Sequence, residues 1–350
     1  MGYVVARGSQ EAILNAEALF RELLSAAEAK SRRGRTKQLA GLPYLLDHVM
    51  AEAGLWAPEL AATALVQTGG DLYEALLLLR AHRTTLPRLG KAQLQKKEDL
   101  LLVRRLSSAF KSIPGGQVLG PTLDYSLRLL GFSESPPLEP AAVAAAQHYP
   151  SVRSWLREQG LLEEDPTAEQ QASSPAPGEE IPDLTRQPLL FPAPRAHRLQ
   201  ALARGDTGGL LALAYSAMRA YNVHTHPTVA ELGVGYLEVR AFHPVRGGSF
   251  RLGRIRLVFT EVVGHGEKGY RLGFAASLGW NEGRAIAGAM LDLEMDRPSH
   301  PARSEEFVLV HTDPVEASGF ALHYKLPHYV TFLSNWMSHF QKEASLETQA

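Results

Sequence analysis

The stretch G-Y-L-E-V-R-A-F-H-P-V-R-G-G-S-F-R-L-G-R-I-R-L-V-F-T-E-V-V-G-H-G-E-K-G-Y-R-L-G-F-A-A-S, Gly235–Ser277, decides the fold class. It reads as three strands, at about Gly235–Phe242, Arg251–Val263 and Tyr270–Ser277, each a short run rich in residues that favour a pleated surface. Gly247-Gly248 and His265–Gly269 between them are turn signals of the antiparallel kind. Helical patterns flank this core irregularly. Asp206 is placed to cap a helix running to about Tyr221, and Asn281 one running to Asp296. Phe307–Val310 is a short apolar run that reads as a strand ending at His311, and Tyr329 to about Glu343 places Phe332, Leu333, Trp336 and Phe340 on one side of a helix. The expected class is α+β, with a mixed, largely antiparallel C-terminal half.

The chain before this stretch is helical in pattern. Ser9 precedes the alanine-rich segment Gln10–Ala29, and the basic cluster Lys30 to Lys37 reads as a solvated loop, with phosphate binding as the sharper alternative. Leu45–Glu52, Pro58–Gln67 and Asp71–Arg83 read as three helices: Pro58 suits a first turn, Gly69-Gly70 is a stop, and Asp71 is a cap. Their leucine series is similar to the helical hairpin of ubiquitin-associated-type small bundles, which points to packing and subunit contact. Glu98–Lys111 reads as a further helix, and Ile113–Thr122, with Gly115, Gly116 and Gly120, as a glycine-rich loop feeding a helix from about Leu123 to Leu130. From Ser133 to Pro194 proline, alanine, serine and glutamate dominate around one helical piece, Ser151–Leu162. Such composition buries too little apolar area to offset ordering entropy, so it reads as a linker or wrapping arm. The expected organisation is a mainly helical unit over 1–132, the arm over 133–194, and an α+β unit over 195–350.

Composition narrows the function. The 350 residues carry a formal charge of −1 and 45% apolar residues, ordinary values that give no global electrostatic reason to bind nucleic acid. With no cysteine there is no disulfide, no thiolate metal site and no cysteine nucleophile. Chemistry that needs an iron–sulfur cluster or a thiyl radical must come from another subunit. No signal-type segment and no run of about 18 apolar residues is present, so the expected setting is cytoplasmic, off the membrane.

The chemistry-bearing stretch is D-P-V-E-A-S-G-F-A-L-H-Y-K-L-P-H-Y, Asp313–Tyr329. His323 and His328 are imidazoles of the type that bind zinc. Five residues along a helix turn the second ring by about 140°, so a continuous helix would splay the two. Pro327 breaks that continuity and lets a bent segment bring them together. The plainer alternative sets His323 on a strand face and His328 near a helix start. The glycine-rich loop is a weak phosphate signal, since backbone N–H groups at a helix start favour anions but the Lys and spacing of a Walker motif are lacking.

Four motifs together resemble the I subunit of the bacterial carbon–phosphorus lyase core complex: R-A-H-R-T-T-L-P-R (Arg80–Arg88), I-P-G-G-Q-V-L-G-P-T-L-D-Y (Ile113–Tyr125), H-T-H-P-T-V-A-E-L (His224–Leu232) and E-A-S-G-F-A-L-H-Y-K-L-P-H-Y (Glu316–Tyr329). The resemblance spans nearly the whole chain except the middle arm. It implies a role in phosphonate catabolism, beside partner subunits of the G, H and J types and an ATP-binding-cassette type subunit. It implies a nucleosidase towards ATP and GTP, which with its partners displaces adenine from ATP by an alkylphosphonate to give a ribose 1-phosphonate 5-triphosphate. It further implies Zn(2+) on His323 and His328, completed by the radical-enzyme subunit. Such a reaction needs phosphate ligands, a general acid for the leaving base, and a carboxylate near the oxocarbenium-like centre. The candidates are Arg83, Arg88, Gly115, Gly116 and Thr122 for phosphate, His224 and His226 for acid work, and Glu231 or Glu316 for the carboxylate. Two other classes stay open: a mainly structural subunit that shares a zinc site, and an independent metal-dependent hydrolase with His311 or Asp313 as third ligand.

Overall fold

A computed structural model describes residues 32–120, 149–163, 181–219, 221, 226–243, 245–295, 300–325 and 335–341, and parts of a helix between 14 and 21. Four strands, β1 (Leu101–Leu106), β2 (Thr228–Phe242), β3 (Ser249–His265) and β4 (Tyr270–Leu278), form one antiparallel sheet in the order β1-β2-β3-β4. The three expected strands are β2, β3 and β4, so the α+β class holds. β2 starts seven residues before the expected Gly235, at Thr228. Its first half, V-A-E-L-G-V-G, is buried on both faces and therefore lacks the alternation that marks a strand in sequence.

β1 corrects the helix expected over Glu98–Lys111. Leucine and arginine are good helix formers, but here L-L-V-R-R-L pairs with β2, Leu102 opposite Gly235 and Arg105 opposite Gly233, with a register shift between Leu102 and Arg104. Both arginines are buried and ion-paired, Arg104 with Glu282 at 2.9 Å and Arg105 with Glu231 at 2.6 Å. Tertiary pairing overrides local propensity.

The helices are α1 (Arg32–Leu39), α2 (Pro43–Ala53), α3 (Pro58–Gln67), α4 (Leu72–Thr85), α5 (Val152–Glu158), α6 (Arg195–Arg204), α7 (Thr207–Arg219), α8 (Glu282–Glu294), α9 (Glu305–His311) and α10 (Pro314–Leu322). α1 replaces part of the expected basic loop. α2 to α4 are the three expected helices; Asp71 accepts from the Glu74 N–H at 3.1 Å, and Leu46, Met50, Leu65, Leu76 and Leu79 close their core. α5 lies within the expected arm but buries Val152 and Leu156 completely against Ala230 and Val263 of the sheet. α9 corrects the strand expected at Phe307–His311: Ser304 caps it from the Phe307 N–H, and Glu305 and Glu306 occupy its first turn, where the helix dipole favours acids. The helix expected from about Leu123 to Leu130 lies outside the described residues. No single helix among the described residues is long and apolar enough to cross a membrane.

α8 lies across β3 and β4 with little room. A Cβ on Gly273 would stand 2.2 Å from the Ala289 carbonyl oxygen and 2.7 Å from Leu293 Cβ, so only glycine lets the helix backbone approach β4 there.

One ionic cluster joins the helical bundle to this layer. Arg284 of α8, fully buried, donates to Glu52 Oε1 at 3.1 Å, Thr207 Oγ1 at 2.8 Å, Ser277 Oγ at 3.0 Å and the Ala203 carbonyl at 2.7 Å. Glu52 of α2 also accepts from the Thr207 N–H at 2.7 Å and contacts His48 Nε2 at 2.7 Å. Burial alone would raise the Glu52 carboxyl, yet His48, Arg284 and Thr207 hold it below its ordinary value. Nearby, Arg256 binds Asp47 at 2.6 Å, and Arg80 of α4 grips both oxygens of Asp313, the α10 cap, at 3.0 and 2.9 Å.

Breaking a buried pair by removing one partner costs about 3–5 kcal/mol. Arg284→Met is therefore expected to lower stability by about that much in denaturant unfolding, with partial recovery in the Glu52→Gln/Arg284→Met double variant. Asp313 gives a pH signature. Burial opposes its charge, but Arg80 and the α10 N–H groups hold its carboxyl below the ordinary value. Its contribution is thus complete above the unfolded value of roughly 4 and fades as pH falls through the lower folded value. Asp313→Asn is expected to flatten the fall of Tm on acidification below about pH 4; an unchanged slope would dismiss the pair as a stabiliser.

Candidate functional site

α4 ends at Thr85 because Pro87 follows: Leu86, before the proline, is extended at φ −93°, ψ 135°. Thr84 and Thr85 turn their hydroxyls back to the Ala81 and His82 carbonyls, both at 2.7 Å. The chain then runs beside the outer half of β2, where Gln93 N–H donates to the Arg240 carbonyl at 2.8 Å. Between this segment and the β2–β3 hairpin lies a cleft of about 810 Å³. Phe242, Phe250 and Leu252 make an apolar wall. Every charged residue lining it is a cation: Arg83, Arg88, Lys91 and Arg186.

Two of these cations, Arg83 and Arg88, are candidates from the sequence, and both line the cleft. Arg88 pairs with Asp183, whose carboxyl is lowered to about 2 because the hydrogen bonds of Thr185 and Arg88, with the charge of Arg88, outweigh the effect of burial. Arg83 donates a long bond of 3.4 Å to the Ala53 carbonyl; burial, and then the charges of Arg80 and Arg88, lower its pKa. Arg186, Lys91 and the two phenylalanines carried no sequence signal, because they come from segments that look like linker and hairpin tip.

The glycine-rich loop lies elsewhere. Gly115 and Gly116 have positive φ, 77° and 78°, and the loop folds back on β1 through paired bonds between Arg105 and Val118, both 2.7 Å. Its carbonyls converge on one guanidinium: Arg105 Nη1 donates to Pro114 O at 2.7 Å and Gly116 O at 2.9 Å. The Gly116 N–H is bonded to Ile113 O at 2.9 Å. Thr122 lies outside the described residues. Arg105 in turn holds Glu231 Oε1, while Glu231 Oε2 accepts from Lys97 at 2.8 Å. Lys97 also reaches Glu261 at 2.9 Å, and Arg153 joins Glu261 at 3.3 Å. Burial disfavours the Lys97 charge, but the two glutamates raise its pKa above the ordinary value. With both oxygens engaged, Glu231 works as an anchor within this cluster.

His226 stands exposed just before β2, its Nδ1 3.0 Å from the Pro227 carbonyl. Phe242 ends the same strand at the cleft. At ~3.3 Å per residue, the fourteen steps of β2 set these ends about 45 Å apart. One nucleotide cannot touch both. His224 lies outside the described residues.

α10 carries the remaining candidates and packs against α4. Glu316 is in its first turn, and His323 follows its last residue in a short 3-10 turn, His323–Lys325. His323 Nδ1 lies against the Phe320 carbonyl, and its ring is 3.9 Å from that of Tyr324. A proton on Nδ1, bonded to a carbonyl, leaves the ring lone pair on Nε2, the arrangement in which histidine ligates metals. His323 thus fits a zinc ligand. His328 lies outside the described residues, and among the described residues no three His, Asp or Glu gather as a metal site. Asp313 is engaged by Arg80 and the helix cap, and His311 Nδ1 lies 2.7 Å from the Phe307 carbonyl.

Residues 2–345 match the family described as bacterial phosphonate metabolism protein (PhnI). The chain is 42% identical to the protein HtxH of Stutzerimonas stutzeri, over 96% of this chain and 94% of that one. It is 39% identical to the alpha-D-ribose 1-methylphosphonate 5-triphosphate synthase subunit PhnI of Rhizobium meliloti strain 1021, covering 94% and 92% of the two chains. The subunit of the same name from Escherichia coli strain K12 is also 39% identical, over 94% of this chain and 95% of its own. On a match that runs from end to end, the chain belongs to the bacterial phosphonate metabolism protein (PhnI) family.

Proposed function

We propose that this chain is a subunit of an alpha-D-ribose 1-methylphosphonate 5-triphosphate synthase, within a carbon–phosphorus lyase core complex, and that it acts on ATP. The names of its relatives in Rhizobium meliloti and Escherichia coli support the assembly. The single observation that carries the substrate class is the cleft whose charged lining is entirely cationic, facing an aromatic wall. Guanidinium groups suit phosphate oxygens through paired, charge-assisted hydrogen bonds. We assign the triphosphate to Arg83 and Arg88, with Arg186 beside them.

In the reaction a phosphonate oxygen forms a bond to C1′ as the C1′–N9 bond breaks, and the base departs with a proton from a general acid. Water in place of the phosphonate gives the nucleosidase reaction. The carboxylate that steadies the oxocarbenium-like centre is assigned to Glu316, the candidate on the helix packed against α4. His226, at the far end of β2, is out of reach of the base of a nucleotide whose phosphates lie in the cleft. His323 and His328 would hold a zinc ion whose remaining ligands come from a partner subunit, and the ion would supply a fixed positive charge beside α10. Partners of the G, H and J types, and an ATP-binding-cassette type subunit, complete the proposed assembly, with a cytoplasmic setting.

Each hydrogen bond to a charged group contributes roughly 1.5–3 kcal/mol. Arg88→Ala is accordingly expected to raise the KM for ATP in adenine release at least about ten-fold, followed by chromatography of free base from the purified chain. An unchanged KM would remove the phosphates from the cleft. In the complex, a His323→Ala, His328→Ala variant is expected to retain less zinc by elemental analysis; equal zinc content sinks the shared site.

A further inference from the structure

Three arginines meet at the C-terminal end of α2, and the guanidinium of one of them makes no hydrogen bond among the described residues. Arg204, the last residue of α6, lays its side chain over Gly54, where an added Cβ would stand 3.0 Å from Arg204 Cδ and 3.1 Å from Nε. That Nε is buried and makes no hydrogen bond, and no carboxylate among the described residues pairs with the guanidinium. Arg83 approaches the same helix end, with only its 3.4 Å bond to Ala53 O. Arg80, the third, is fully engaged by Asp313, by Glu52 O at 2.9 Å and by Arg204 O at 3.4 Å. Asp313 therefore pairs directly with one of the three, while Asp183 acts on Arg83 and Arg204 from farther off.

Arg80 and Arg83 bond last-turn carbonyls of α2, Glu52 O and Ala53 O, as cations at a helix C-terminus do, but Arg204 does not. Gly54 N–H and Leu55 N–H already close the end of α2 on Ala51 O and Met50 O, both at 3.0 Å. Arg204 donates nothing to it. Burial, then the charges of Arg80 and Arg83, lower the Arg204 pKa to about 10, although Asp313 and Asp183 pull the other way. A partly buried guanidinium whose Nε is shut off from water without a hydrogen bond costs stability unless something else is gained.

We propose that Arg83 and Arg204 form an oxyanion subsite at the end of α2, built for a phosphoryl or phosphonyl group. Arg83 is shared with the cationic cleft, so the subsite extends that surface inward and takes one end of a polyphosphate chain. This extension rests on the assignment of ATP phosphates to the cleft. Arg204 is the residue it adds. A tetrahedral dianion offers oxygens to two guanidinium planes at once.

The test compares wild type, Arg204→Met and Arg88→Ala as full-length chains, by calorimetric titration with orthophosphate, methylphosphonate and tripolyphosphate and by thermal unfolding. Methionine keeps an apolar stem over Gly54 and removes the charge. Without anion, Arg204→Met is expected to melt at or above the wild-type temperature. With tripolyphosphate it is expected to bind at least ten-fold more weakly and to lose most of the anion-dependent rise in Tm. Undiminished binding by Arg204→Met, or a lower Tm without anion, overturns the subsite and makes Arg204 structural. Stabilisation that arises only on assembly with partner subunits, with no response to the phosphates, overturns it in favour of a partner carboxylate. If Arg88→Ala weakens ATP while Arg204→Met does not, the cleft stands and the subsite falls. If Arg204→Met weakens orthophosphate while Arg88→Ala leaves the KM for ATP unchanged, the subsite stands and the cleft assignment falls. Absence of binding to wild type overturns both.

Discussion

The buried pair Glu52–Arg284 is the constraint that orders the rest of the molecule. A guanidinium with no access to water must find every partner within the protein. Arg284 finds them on four elements at once: α2, the end of α6, the start of α7, and β4. Those elements are fixed in mutual position by one side chain. The three-helix bundle is consequently held rigidly on the sheet layer, and Arg80, on its last helix, is set against Asp313. The cleft depends on this arrangement, because α4 supplies one of its walls and the outer β2–β3 hairpin the other.

The α+β class, β2 to β4 and the α2–α4 bundle were legible because each carries its own local signal: a turn of the right length, a Pro at a first turn, an Asp cap. Two elements were not. L-L-V-R-R-L looks helical because the force that makes it a strand lies on β2, more than a hundred residues away. Phe307–Val310 is a short apolar run of strand length, but Ser304 and the two following glutamates are a helix start that outweighs four apolar residues. Of the candidate site, Arg83 and Arg88 were legible through a motif. Arg186, Arg204 and Phe250 were not, since proximity across segments leaves no mark on a single sequence. Gly115 and Gly116 illustrate the converse. Their positive φ is real, but it serves to turn carbonyls towards Arg105 and not N–H groups towards an anion.

The separation along β2 divides the candidate residues into two groups. The cations of the cleft lie at one end of the strand, next to α4, while His226 and the Lys97–Glu231–Arg105 cluster lie towards the other. The cluster is saturated with internal bonds, and such networks specify packing more readily than they bind ligands. α10 carries Glu316 and leads into His323, so the carboxylate candidate and the metal candidate lie on one short helix and the turn that ends it. Asp313 anchors that helix to Arg80, and any shift of α10 is felt at the arginines of α4.

The distance in sequence between β1 and β2 has a consequence for synthesis. Leu102 faces Gly235, so 133 residues must leave the ribosome before the first strand meets its partner. At roughly 5–20 residues per second that is a wait of about ten seconds. An unpaired apolar strand left open for so long invites association with other nascent chains. Arg104 and Arg105, buried in the finished protein, are charged and solvated during that interval. The same two side chains that lock the strand in place later can keep it from sticking early.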